Sequence, residues 1–149
     1  MEQPDQAMTR RVWQRVTGQT GHTEQPLPQN PKTMIATEEQ IRLTLLHLMQ
    51  IAPMDRQAFA ALASDCARHI RILQGIHMLQ NGCKAQVRGV AQTMSTPTHC
   101  LQRLYALTLQ SAEQYGRLSS DTAYGTVFQA LADTKAKHCA IVLQLLGAG

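Results

Sequence analysis

Aromatic side chains, charges and long apolar runs are all scarce in this sequence. Only 4% of its 149 residues are aromatic and 16% charged, whereas Ala, Leu, Gln and Met are abundant. That mixture disfavours sheet, which draws on aromatic and β-branched residues, and predicts an all-α protein. No apolar stretch approaches the roughly 18 to 20 residues needed to cross a bilayer. None follows Thr9-Arg10-Arg11 as an export signal requires, because Gln14 to Asn30 is largely polar. The expectation is a cytoplasmic chain with no membrane partner.

Cys66, Cys83, Cys100 and Cys139 contain no Cys-x-x-Cys pair, which excludes a zinc ribbon and a thioredoxin-like centre and leaves reduced thiols as the simplest reading. The net charge of +4 is dispersed, with Arg10, Arg11 and Arg15 the only local cluster. Without a basic run interleaved with aromatics, a nucleic-acid partner is not expected.

What is present is helical periodicity. Residues 1–34 read as an N-terminal arm with an amphipathic piece around Val12, Trp13 and Val16, followed by a linker holding Pro26, Pro28 and Pro31. Residues 35–149 read as one domain of four helices, a length suited to a single core. The first begins with Thr37 as N-cap and Glu38 and Glu39 in its first turn, carries Ile41, Leu45 and Leu48 on one stripe, and stops at Pro53. The second runs from near Asp55 to a stop at Asn81-Gly82, and the third from Ser95-Thr96-Pro97 to Leu118. Ser119, Ser120 and Asp121 lead into the fourth, which runs to Leu146. The first and last joints are a few residues long and demand antiparallel hairpins. The middle connection, 82–95, can reach roughly 45 Å when extended, enough to traverse a helix of roughly 39 Å. One long crossover between two hairpins is the expected topology.

An internal repeat with a shift of 69 residues supports this. Phe59-Ala-Ala-Leu-Ala-Ser-Asp-Cys-Ala-Arg-His69 answers Phe128-Gln-Ala-Leu-Ala-Asp-Thr-Lys-Ala-Lys-His138. The second helix therefore presents Phe59, Leu62, Cys66, His69, Leu73 and Ile76 on one stripe, and the fourth presents Phe128, Leu131, Lys135, His138, Val142 and Leu145. Two imidazoles, a thiol and an amine are predicted to share the interior.

On these residues, and on His69-Ile-Arg-Ile-Leu-Gln-Gly-Ile-His-Met-Leu-Gln-Asn-Gly82, the stretch from about 37 to 147 resembles the ferritin-like superfamily, most of all its rubrerythrin-type branch. That resemblance implies a four-helix bundle binding two iron or manganese ions through Glu-x-x-His on the second and fourth helices and one Glu each from the first and third. Here the two motifs read Cys66-Ala-Arg-His69 and Lys135-Ala-Lys-His138. Carrying the same shift to the first and third helices pairs Glu39 with Thr108 and Leu46 with Tyr115. Glu39, with Glu38 as the neighbouring alternative, His69 and His138 are thus the ligands retained. They are too few for two metals.

The leading expectation is a non-enzymatic interaction or scaffold protein, a homodimer without cofactor. In it a core polar cluster of Glu39, Cys66, His69, Thr108, Tyr115, Lys135 and His138 is organised by a Glu39 to Lys135 ion pair. The alternative is a metal-binding protein or oxidoreductase holding one iron, manganese or zinc ion through Glu39, His69, His138 and Cys66, a two-His-one-carboxylate arrangement. A third reading makes Cys66 a redox-active thiolate favoured by Lys135.

Overall fold

The computed structural model describes residues 31–89, 96–121 and 123–148; the 1–30 part of the expected arm, with Trp13, lies outside them. The described residues form four helices and no strand: α1 (Pro31–Ile51), α2 (Arg56–Asn81), α3 (Pro97–Leu118) and α4 (Gly125–Ala148), with a single 3-10 turn at Pro53–Asp55 between α1 and α2. No described helix is long and apolar enough to cross a membrane.

The helix ends follow from local chemistry. Pro31 opens α1, where its missing N–H leaves no hydrogen bond unmade. This corrects the expected start at Thr37, which is internal and donates its hydroxyl back to the Thr33 carbonyl at 3.2 Å. Gly82 closes α2 in the left-handed conformation, φ 76°, its N–H on the Met78 carbonyl. Thr96 caps α3 by accepting the His99 N–H at 3.2 Å. Before α4, the Asp121 carboxylate accepts the N–H groups of Ala123 and Tyr124 at 3.0 and 2.7 Å.

Two apolar clusters fix the directions of the helices. One gathers Ile41, Leu45 and Leu48 of α1, Phe59, Leu62 and Cys66 of α2, Cys100, Leu101 and Leu104 of α3, and Val142 of α4. The other gathers Met34 and Ile35, Leu73 and Ile76, Tyr115 and Leu118, and Phe128 and Leu131. Each helix contributes one end to each cluster, so α1 and α4 run one way along the bundle and α2 and α3 the other. Helices α1 and α2 form one antiparallel hairpin, and α3 and α4 a second. The connection after α2 has to return the length of the bundle before α3 can begin. Its described part does so against α1: Gln74 holds Ala85 by a pair of hydrogen bonds at 2.9 and 3.2 Å, and Gly89 lies so close to α1 that a Cβ would collide with Leu43 and Glu39.

The repeat is visible in the packing of α2 and α4. Phe59 and Phe128, Leu62 and Leu131, Cys66 and Lys135, His69 and His138, and Leu73 and Val142 are all buried. Between α1 and α3 the shift is 70 residues, not 69: buried Met34, Glu38, Leu45 and Leu48 answer buried Leu104, Thr108, Tyr115 and Leu118. The joint between α3 and α4 is thus one residue shorter than its counterpart between α1 and α2. Leu46, the residue expected opposite Tyr115, is exposed.

Two glycines distinguish open from crowded helix positions. Nothing stands within 4 Å of a Cβ on Gly75 in mid-α2, whereas one on Gly125 would collide with the Ser119 carbonyl. Gly75→Ala is expected to raise stability by about 0.5–1 kcal/mol through helix propensity, and Gly125→Ala to lower it by about 1–3 kcal/mol. Urea midpoints at equal m-value read the two opposite signs.

Candidate functional site

Between the two apolar clusters lies a polar layer built around Glu38. The spacing that makes α1 amphipathic turns position 38 inward with Ile41, Leu45 and Met34, and its side chain is fully buried. Position 39 faces outward, where Glu39 is held by Arg42 through two contacts of 2.8 Å. The expected Glu39 to Lys135 pair is therefore corrected by one residue: the carboxylate at Lys135 is Glu38, with Lys135 Nζ 2.9 Å from Glu38 Oε1 and both side chains at 0% exposure. Oε1 has no aligned hydrogen-bond donor, so the contact is principally ionic. The Tyr115 hydroxyl donates to Oε2 at 2.6 Å, and the His69 Nδ1–H points to the same oxygen from 3.3 Å.

Lys135 Nζ also lies 3.7 Å from Cys66 Sγ. The His69 and His138 rings stack with centroids 6.0 Å apart and planes inclined by 22°. Both pairs are repeat mates 69 residues apart, and mates can touch only where an approximate two-fold axis passes between them. That axis runs between α2 and α4. His138 completes the layer toward solvent, its Nε2–H donating at 2.9 Å to Asp65 Oδ2, which Arg68 flanks at 3.1 Å.

The charge state of the layer follows from these contacts. Burial alone raises the Glu38 pKa, but the His69 hydrogen bond and the Lys135 charge outweigh it and hold the group at about 2. For Lys135, burial opposes the charge and Glu38 more than restores it, leaving the ammonium above its ordinary value. Burial pushes the Cys66 thiol up to about 12 against the pull of Lys135, which corrects the redox-active reading: at neutral pH the sulfur is a thiol packed in the core. Burial and the nearby Lys135 charge lower His138, over the opposing Asp65 hydrogen bond, so its ring is neutral at neutral pH.

Of the residues expected in the polar cluster, Cys66, His69, Tyr115, Lys135 and His138 come together. Thr108 is buried at the level of Glu38 but donates its hydroxyl to the Leu104 carbonyl at 2.7 Å on its own helix. Glu39 does not join them. The expected single-metal site is not assembled either: among the described residues no group of three His, Cys, Asp or Glu side chains is arranged to hold a metal ion. The donors do not fit one, since His69 faces Glu38, His138 faces Asp65, and the space between them is filled by a cation. Asp65, which sequence reasoning missed, sits next to Cys66 on the same turn. Its aspartate is lost in the second copy, where Thr134 stands, and that difference was the available signal.

Comparison with models of protein families, with curated proteins and with solved structures finds no match for this chain.

The pH dependence of stability follows from the charge states. Glu38, depressed in the folded state from 4.5, contributes in full above pH 4.5 and loses its contribution, about 3 kcal/mol, as pH falls toward 2. His138 begins the loss earlier, below its ordinary value of 6.5. Lys135, raised, contributes in full below 10.5 and is lost as pH climbs through its higher folded value. Lys135→Met should cost about 3–5 kcal/mol at pH 7 by leaving Glu38 buried without its cation, and should flatten the alkaline limb. Chemical unfolding between pH 3 and 11 measures both; an unchanged alkaline limb would remove Lys135 from this account.

Proposed function

We propose that this chain is a degenerate ferritin-like bundle of the rubrerythrin kind, a non-enzymatic interaction or scaffold protein in which a lysine ammonium supplies the positive charge that metal ions supply in that family. One observation carries this reading: Lys135 Nζ lies 2.9 Å from a fully buried Glu38 carboxylate, on the same layer as the two repeated histidines. A cation fixed there by its own side chain neutralises the carboxylate and repels any divalent ion brought to the same oxygen. The antiparallel hairpins, the lengthwise connection and the placement of Glu38, His69 and His138 are in keeping with the ferritin-like pattern, with Cys66 and Lys135 where that pattern has glutamates. Interaction with a second copy fits the repeat-equivalent Ile72 and Ile141, which stand 37% exposed on the outer faces of α2 and α4.

Elemental analysis tests the reading on full-length protein purified without a histidine tag from cells supplied with iron, manganese and zinc. Far less than one metal per chain is expected, with no peroxide turnover and a thermal midpoint indifferent to chelator. One tightly held metal per chain, lost in both His69→Ala and His138→Ala, would instead establish the metal-binding alternative.

A further inference from the structure

The polar contacts described between the hairpins share one sense. Glu38, Asp65 and Cys66, all on α1 and α2, accept; Lys135, Tyr115 and His138, all on α3 and α4, donate. The apolar stripes carry no such asymmetry, since Phe59, Leu62 and Leu73 are matched by Phe128, Leu131 and Val142 at equal burial. Apolar burial therefore fits a hairpin to a copy of itself almost as well as to the other hairpin. The polar layer does not.

Replacing the second hairpin by a copy of the first would put Leu45 where Tyr115 stands and Cys66 where Lys135 stands. Two Glu38 carboxylates would be buried with no ammonium. Replacing the first by a copy of the second would put Thr108 for Glu38 and Thr134 for Asp65, burying two Lys135 ammoniums with no carboxylate. Each like-with-like pairing strands charges that the unlike pairing neutralises, and a stranded buried charge costs far more than the pair contributes. We infer that the Glu38 to Lys135 contact is a pairing code: the inner face of the first hairpin takes the second hairpin as its partner and rejects a second copy of itself. The bundle closes on unlike halves although its repeat would permit like ones.

The test separates the halves while keeping all of the chain. A protease recognition sequence is inserted in the exposed connection between Lys84 and Arg88; the folded full-length protein is cleaved there, unfolded in urea, refolded by dilution and weighed by native mass spectrometry. The parent sequence should give unlike pairs at least about tenfold in excess of like pairs. Glu38→Gln/Lys135→Met, which keeps the side-chain volumes and removes both charges, should bring the ratio toward random pairing, about one like pair per unlike pair. Glu38→Met/Lys135→Met provides a second neutral variant. Exclusive unlike pairing in a neutral variant would overturn the inference. So would parent halves that pair alike or fail to reassemble, because a code written in the two faces has to operate without the tether. Loss of a cooperative bundle in both neutral variants would also overturn it, by making the pair a requirement for folding itself.

Discussion

A carboxylate and an ammonium held 2.9 Å apart at zero exposure set the terms for everything around them. Two such charges are tolerable in an apolar interior only if each satisfies the other and their remaining capacity is met. Tyr115 and His69 meet it on Glu38, and Cys66 lies against the Lys135 ammonium. Those partners come from all four helices, so a single buried carboxylate fixes the rotation of every helix about its axis. The apolar clusters at the two ends supply most of the burial; the layer between them supplies the register.

The layer also limits the chemistry available. Its one thiol is protonated, its one amine is charged and ion-paired, and its outer histidine is neutral and bound to an aspartate. None is poised as a nucleophile at neutral pH. A hydroxyl donating to a fully ionised carboxylate is likewise committed: Tyr115 is driven well above its ordinary value by burial and by the Glu38 charge. The arrangement is built to stay as it is.

Much of this was legible in the residues. The four helices, the two short joints and the repeated Phe, Leu and His positions could be read because helical spacing and turn chemistry are local signals. The identity of the central carboxylate could not be taken from the repeat, because a shift of 69 residues holds for α2 and α4 but becomes 70 between α1 and α3. One residue of difference in a joint rotates the neighbouring helix by about 100° in register and exchanges Glu38 for Glu39. The stripe itself held the answer, since counting back from Ile41 and Leu45 by three and seven reaches 38. The start of α1 was missed for a related reason: two threonines and two glutamates imitate a cap, and only the continuation of burial to Met34 and Pro31 shows that the helix begins earlier. Asp65 was missed because its partner lies 73 residues away, a distance no local pattern spans.

The lengthwise return between α2 and α3 has a consequence for synthesis. As the chain leaves the ribosome, the first hairpin emerges complete with its apolar stripe and with Glu38, while the lysine that neutralises that carboxylate is still nearly a hundred residues from being added. Until then the carboxylate keeps its water, and the nascent hairpin has reason to remain ajar. Final closure waits on the last helix to be translated, which brings the counter-charge and the second imidazole in the same turn.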